Sequence, residues 1–269
     1  MNAFMFQVLR RLGSAHCFQA ALAVVTLAFA TQLLAADLRV ISGGGAQGVL
    51  RMLAPQFESA TGNKVELNFA VVGAVQQRLM AGEKADVVLL SVPRLDALEK
   101  AGGFRAQSRT VIGRVAIGVV VREGASAPDI STPDAVRKML VDARSVAFPD
   151  PKLTTSGRHL MRMFAQIGIA DDMQPKITFR NAIDGGVTLV RDGQVEIGLF
   201  LVSEVLPVKG VTLAGALPPA LQDYVVYGAA VAAESSASDA ALQFVRFLSD
   251  PAAREYWKAA GFELPSGGR

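Results

Sequence analysis

The sequence predicts an α/β fold of two lobes, each a mixed sheet flanked by helices, with two strands joining the lobes. Short apolar strand patterns alternate with amphipathic helix patterns along the chain, and two longer strand patterns lie far apart in it. Such alternation is typical of doubly wound α/β domains. The long patterns, Thr110–Arg122 and Tyr224–Ala233, are then the connections between the lobes.

The first lobe begins with a strand, a glycine-rich turn and a helix. Leu38–Ser42 is a short apolar strand pattern, and the loop Ser42–Gly48 leads into a helix that stops at Gly62. Asp86–Ser91 is a continuous apolar run, which is typical of a parallel strand buried on both faces. These elements predict the βαβαβ half of an α/β domain.

A second set of strands and helices lies between the two long strands. Strand patterns at Ser145–Phe148, Lys176–Arg180 and Val195–Leu201 alternate with helix patterns, of which Ser156–Ile167 is the longest. Two helices close the chain and return it to the first lobe. We therefore expect lobe 1 to comprise residues 37–116 and 226–269, and lobe 2 to comprise residues 117–225.

Residues 1–36 have the pattern of a secretory signal peptide. The segment carries Arg10 and Arg11, then an apolar run from Phe18 to Leu34, and ends in small residues at Ala36. The alternative is an uncleaved membrane anchor, because the apolar run is about as long as a short spanning helix needs. Cleavage predicts a periplasmic protein.

Composition excludes several classes of function. Loss of residues 1–36 removes two arginines and no acidic residue, so the formal net charge falls from +3 to +1. No electrostatic footprint for nucleic acid remains. The single cysteine, Cys17, leaves with the same segment, so the mature chain can form no disulfide, and no metal-ligand spacing is present.

Loops that follow strands predict an anion site. In open α/β sheets ligands bind beyond the carboxyl ends of strands, and helix N-termini there favour negative charge. Four such ends carry glycine or hydroxyl residues before a helix: Ser42–Gly48, Val71–Val75, Thr154–Arg158 and Asn181–Gly185.

Several motifs of the chain resemble the molybdate-type periplasmic substrate-binding proteins of ABC importers. They are Ser42–Ala46, Leu53–Gly62, Phe69–Ala74, Ala81–Val87, Pro151–Arg158 and Gly193–Gly198. The resemblance covers essentially the whole mature chain. It implies a type II two-lobed receptor that closes on a small anionic solute by a hinge and delivers it to an inner-membrane permease. It also implies a monomer without a cofactor and without catalysis.

Three positions depart from this family's pattern. The resemblance places hydroxyl ligands of the oxyanion at positions that are Gly45, Val72 and Leu201 here. Their loss predicts a wider and more apolar cleft, since each hydrogen bond to a charged group contributes about 1.5–3 kcal/mol. The ligand is then either a molybdate- or tungstate-like oxyanion or an organic carboxylate.

The candidate ligand-binding residues share positions at the ends of strands and the starts of helices. They are Ser42, Gly43, Gly44, Gly45, Val72, Gly73, Ala74, Ser91, Thr154, Thr155, Ser156, Arg158, Ile183 and Leu201. Arg158 is the most specific candidate for an anionic ligand, because a guanidinium group pairs bidentately with a carboxylate.

An enzyme is the alternative from another class. The loop matches the dinucleotide pattern Gly43-x-Gly45-x-x-Gly48, with Glu66 about twenty residues on, so a dinucleotide-dependent oxidoreductase stays open. Glu66 falls in the middle of its strand, and the mature chain has one histidine, His159, without a nucleophile elbow. The sequence therefore predicts a binding protein and not an enzyme.

Overall fold

The computed structural model describes residues 35–180 and 185–265, in which the chain forms two mixed sheets with helices around them. The first sheet has the strand order β11-β4-β10-β3-β1-β2. Its strands are β1 (Asp37–Gly43), β2 (Lys64–Ala70), β3 (Val87–Ser91), β4 (Thr110–Val115), β10 (Val225–Val231) and β11 (Phe262–Glu263). β1 runs parallel to β2 and β3, and β10 is antiparallel to β3 and β4.

The helices associated with the first sheet precede, separate or follow its strands. They are α1 (Gln47–Thr61), α2 (Val72–Met80), α3 (Val92–Lys100), α9 (Ser238–Ser249) and α10 (Arg254–Ala259). α1 ends where Gly62 adopts a left-handed conformation at φ 77°, as the sequence predicts. Phe57 of α1 packs edge to face on Phe244 of α9, with ring centroids 4.9 Å apart.

The second sheet has the strand order β7-β6-β8-β5-β9. Its strands are β5 (Ile117–Arg122), β6 (Val146–Pro149), β7 (Ile177–Arg180), β8 (Ile197–Leu201) and β9 (Val211–Ala216). The helices are α4 (Pro133–Asp142), α5 (Thr155–Gln166), α6 (Ala170–Met173), α7 (Gly185–Arg191) and α8 (Val202–Val205). β6 is parallel to β7 and β8, whereas β5 is antiparallel to β8 and β9.

The predicted α/β class with two mixed sheets is confirmed, and one predicted strand is divided. The pattern Thr110–Arg122 forms β4 in the first sheet and β5 in the second, separated by Ala116. The chain returns to the first sheet between Ala216 and Val225. The limits of the two lobes stay a prediction. The sequence pattern also missed β9 as a separate strand.

The start of α5 is anchored to the end of β6. The Thr154 hydroxyl accepts a hydrogen bond from the Gly157 N–H at 3.1 Å and donates one to the Asp150 carbonyl at 2.8 Å. A Cβ on Gly157 would lie 2.2 Å from the Pro149 carbonyl oxygen, so glycine lets the helix start against this strand. The first turn of α5 is thereby fixed at the carboxyl end of β6.

Candidate functional site

A cavity lies where the carboxyl ends of strands from both sheets meet. It encloses about 570 Å³ of space, part of it open to solvent. That is room for a few water molecules or one small ligand. The lining residues are Gly44, Val71, Val72, Pro149, Thr154, Thr155, Ser156, Arg180, Gly186, Val187, Phe200, Leu201, Glu204, Val225 and Tyr227.

Six of the predicted ligand-binding residues line this cavity. They are Gly44, Val72, Thr154, Thr155, Ser156 and Leu201. The segment from Thr154 to Ser156 begins α5, a helix of 12 residues, so its first-turn N–H groups and its dipole favour an anion. Thr154 itself serves as the N-cap, which leaves its hydroxyl less free for a ligand.

Other predicted residues are engaged with protein groups near the cavity. Ser42 donates its hydroxyl to the Gly43 carbonyl at 3.0 Å. The Gly73 N–H donates to the Leu153 carbonyl at 2.8 Å, and a Cβ there would lie 2.5 Å from the same oxygen. This contradicts the expectation that the Gly73 amide is available to the ligand, because the amide already holds two loops together.

Ser91 and Arg158 meet at Thr155. The Ser91 and Thr155 hydroxyls are 2.9 Å apart, and Arg158 Nη2 donates weakly to Thr155 Oγ1 at 3.4 Å. Neither Ser91 nor Arg158 lines the cavity itself. Ala74 does not line it either, and Ile183 lies outside the described residues.

Gly43 and Gly45 pack against Tyr227 rather than forming open wall. A Cβ on Gly45 would lie 2.7 Å from the Tyr227 hydroxyl oxygen, and a Cβ on Gly43 would lie 3.2 Å from it. The hydroxyl accepts a hydrogen bond from the Gly45 N–H. The interpretation of Gly45 as a simple loss of a hydroxyl therefore needs correction, because the Tyr227 hydroxyl occupies the space that a side chain at position 45 would need.

Glu204 places a carboxyl group in the cavity wall. It lies on α8 directly after β8, and its Oε2 accepts a hydrogen bond from the Leu201 N–H at 3.4 Å. The side chain is partly exposed, while protein atoms pack densely about the carboxyl group. Burial raises the pKa of Glu204 to about 7, and the bond from Leu201 offsets only part of this.

The charge of Glu204 affects the hydroxyl group of Tyr227. Burial raises the pKa of the Tyr227 hydroxyl, and the nearby Glu204 charge raises it further. The phenol is therefore neutral throughout the range in which Glu204 titrates, so it can donate a hydrogen bond while the carboxyl group exchanges a proton.

Arg180 brings a positive charge to the same cavity. It is the last residue of β7, and its Nε is buried and has no hydrogen-bond partner among residues 35–180 and 185–265. A buried donor without an acceptor is costly unless a ligand satisfies it. Arg180 and the start of α5 thus bring positive charge to the cavity wall, and Glu204 and Tyr227 lie in the same wall.

Sequence reasoning missed Arg180, Glu204 and Tyr227. A signal existed for Glu204, which is the one charged residue in the apolar stretch from Ile197 to Val208. Arg180 is the polar end of a predicted strand, which is the position where ligands bind. Tyr227 lies in a strand pattern that gives no sign of its partner Gly45.

The described part of the chain offers no evident metal centre or membrane span. It contains no cluster of three or more histidine, cysteine, aspartate or glutamate side chains arranged to hold an ion. Among residues 35–180 and 185–265, no helix combines the length and the apolar character that crossing a membrane requires.

The fold and the cleft define a substrate-binding protein of the ABC-importer type. The chain belongs to the bacterial extracellular solute-binding protein family, whose model matches residues 38–263. Proteins of this molybdate-binding type capture small anions and deliver them to ABC permeases.

Individual relatives divide between binding and catalysis. The chain is 33% identical to a Pseudomonas sp. protein named aconitate isomerase, over 87% of this chain and 91% of the relative. It is 27% identical to the molybdate-binding protein ModA of Azotobacter vinelandii, over 91% and 96% of the two chains.

Two solved structures share the fold. The Azotobacter vinelandii periplasmic molybdate-binding protein has a TM-score of 0.73 at 22% identity, and the alignment covers 85% of this chain and 100% of the other. The sulfate-binding protein SubI of Mycobacterium tuberculosis H37Rv has a TM-score of 0.69 at 19% identity, covering 86% and 88%.

The predicted family is confirmed, and the expectation that the protein is not an enzyme is contradicted. A chain similar over nearly its whole length is named for a catalytic activity. The absence of a nucleophile elbow is evidence only against hydrolysis. It does not bear on proton transfer by a carboxyl group. The dinucleotide alternative gains no support, since Glu66 is an exposed residue within β2 that accepts a hydrogen bond from Asn68.

Proposed function

We propose that this protein binds a small unsaturated polycarboxylate and isomerises it by moving one proton. The observation that carries the proposal is the Glu204 carboxyl group in the cavity wall, whose pKa is raised to about 7 by the protein atoms around it, with the neutral hydroxyl of Tyr227 in the same cavity. The relative named aconitate isomerase supports the choice of substrate.

The chemistry of aconitate needs no oxidant and no cofactor. Aconitate has three carboxylates and one carbon–carbon double bond, with a methylene group on the other side of the central carbon. Removal of a methylene proton and its return to the far end of the allylic system moves the double bond. One C–H bond breaks and one forms. Because the carbon skeleton is symmetric about the central carbon, the product is again aconitate, with either geometry.

Such a shift needs one group that takes and returns a proton. A general base works best when its pKa lies near the working pH, and burial gives Glu204 that property. Tyr227 donates a hydrogen bond to the carboxylate oxygen on which negative charge develops. Arg180 and the start of α5 hold carboxylates of the substrate and stabilise the same charge.

The test is direct conversion of cis- and trans-aconitate by purified protein. Incubation in D₂O followed by proton NMR should show interconversion, with deuterium entering the methylene position by exchange at Glu204. Glu204→Gln should lower the rate by about a hundredfold or more, since general base catalysis contributes about 10²–10⁴. Glu123→Gln is a matched control, because Glu123 is exposed and lies away from the cavity lining. Absence of conversion by the wild-type protein would refute the proposal.

Capture of an anion for a permease is a second candidate function, which the family favours. In this role the protein would be exported by residues 1–36 and act in the periplasm as a monomer. The small cavity also suits a molybdate-like oxyanion. Titration with molybdate, tungstate, sulfate and aconitate separates these ligands. An exclusive response to molybdate and tungstate would favour this candidate over the isomerase.

A further inference from the structure

We propose that Arg94 and Arg158 form a second anion site beside the cavity, which takes a further carboxylate of the same ligand. The inference rests on the proposed function, because it specifies the ligand as a polycarboxylate that spans two positive sites. Arg180 and the start of α5 take one carboxylate within the cavity, and the Arg94–Arg158 pair takes another.

Arg94 has an unused donor. It lies on α3, three residues after the end of β3, and is half-buried. Its Nη1 donates to Gln76 Oε1 at 2.6 Å, which orients the guanidinium. Its Nε is buried and has no hydrogen-bond partner within the described ranges. A neutral amide partner fixes this group in place without neutralising its charge.

Arg158 is joined to the cavity wall. It lies on the first turns of α5, and Nη2 reaches the Thr155 hydroxyl only at 3.4 Å. The same hydroxyl lies 2.9 Å from that of Ser91, which ends β3 and precedes Arg94. Thr155 lines the cavity. The Ser91–Thr155 contact therefore brings the two arginine-bearing helices together at the edge of the cavity.

The two guanidinium groups repel each other, and neither has a counter-ion among the described residues. Burial lowers the pKa of Arg94, and the positive charge of Arg158 lowers it further. Burial also lowers the pKa of Arg158, and the positive charge of Arg162 lowers it further. Within the described ranges neither Arg94 nor Arg158 forms a salt bridge, whereas Arg109 pairs with both Asp96 and Glu99 at 2.6 Å.

A carboxylate between the two arginines would remove an uncompensated repulsion. Guanidinium groups bind carboxylates through paired N–H donors, and a buried cation without a partner is unfavourable. Arg94 follows a strand of the first sheet, and Arg158 follows a strand of the second. A bound carboxylate would thus also hold the two sheets together across the cleft.

The experiment compares ligands that carry different numbers of carboxylates. Isothermal titration calorimetry would measure trans-aconitate, fumarate and crotonate against the wild-type protein, Arg94→Gln, Arg158→Gln and the double variant. Arg162→Gln is the matched control, since Arg162 lies one turn further on α5 and pairs with Asp223 at 3.1 Å. Melting temperatures of the unliganded variants, expected to be unchanged or higher, show that they fold.

We expect the double variant to weaken trans-aconitate binding by about tenfold to a hundredfold, as the loss of charged hydrogen bonds implies. Crotonate, with a single carboxylate, should lose less than about threefold. Equal losses for aconitate and crotonate, or no loss for either, would overturn the inference, as would a wild-type protein that binds none of the three acids. If the wild-type protein binds aconitate through the arginines but does not isomerise it, the proposed function fails and this inference stands. If the wild-type protein isomerises aconitate and the double variant binds it with unchanged affinity, the proposed function stands and this inference fails.

Discussion

The raised pKa of Glu204 predicts a specific dependence of stability on pH. A carboxyl group whose pKa is higher in the folded protein than in the unfolded chain binds more protons when folded, at any pH between the two values. The free energy of unfolding therefore falls as the pH rises through this window. For Glu204 the window extends from the ordinary value of 4.5 to about 7.

The size of the effect depends on the shift. Each unit of pKa difference between the folded and unfolded states corresponds to about 1.4 kcal/mol of unfolding free energy. The change from 4.5 to about 7 therefore gives about 3 kcal/mol, to which the contributions of other titrating groups are added. Glu204→Gln removes the titration and keeps an oxygen that can accept from the Leu201 N–H. The free energy of unfolding of the variant, measured relative to that of the wild-type protein, should rise by about 3 kcal/mol from pH 4 to pH 8.

The assay is urea unfolding at closely spaced pH values, with linear extrapolation to water. The difference between Glu204→Gln and the wild-type protein is plotted against pH, so that contributions from other groups cancel. The exposed Glu123→Gln variant provides the baseline and should show no such trend. A difference that stays constant from pH 4 to pH 8 would refute the argument that burial governs this carboxyl group.

Three further predictions concern packing and charge around the cavity. Gly45→Ala should destabilise the protein by about 1–3 kcal/mol, because its Cβ would lie 2.7 Å from the Tyr227 hydroxyl, whereas Gly48→Ala, with its nearest neighbour at 3.8 Å, should not. Adding Tyr227→Phe should recover part of the Gly45→Ala loss in chemical denaturation; no recovery would show that the hydroxyl is not the obstacle. Thr154→Ala should cost about 1 kcal/mol of unfolding free energy and Thr154→Ser much less, since the hydroxyl caps α5; equal losses would contradict the capping role. Arg180→Gln should weaken anion binding about tenfold or more in calorimetry without lowering the melting temperature, because its Nε has no partner in the described part of the chain; retained affinity would remove Arg180 from the site.

Much of the fold can be predicted from local patterns that the sequence displays directly. The continuous apolar run at β3 predicts burial on both faces, and the structure buries every residue of that strand. Glycine or hydroxyl residues after strands locate the loops at Gly44 and Thr154–Ser156, which do line the cavity. These predictions succeed because strand and helix periodicity are local, and because parallel strands end at one edge of a sheet.

Contacts between residues far apart in the chain cannot be predicted from local patterns. The strand pattern Thr110–Arg122 continues through Ala116, so periodicity alone does not reveal that β4 and β5 belong to different sheets. Ser91 and Thr155 are both predicted as ligands, yet their hydroxyls are paired with each other across 64 positions of sequence. A hydroxyl at a strand end has several possible partners, and the fold determines which one it meets.

Local patterns in the sequence are sufficient for the α/β class, for the family and for the sheet edge at which the cavity lies. Which side chains line that cavity depends on contacts between distant parts of the chain. The tertiary structure places Glu204 and Tyr227 together with Gly45, although these positions lie far apart in the chain. The pKa of a carboxyl group depends on the atoms packed around it, which no local pattern records. In the sequence, Gly45 indicates only the absence of a hydroxyl donor. In the structure, the lack of a side chain at this position leaves room for the Tyr227 hydroxyl.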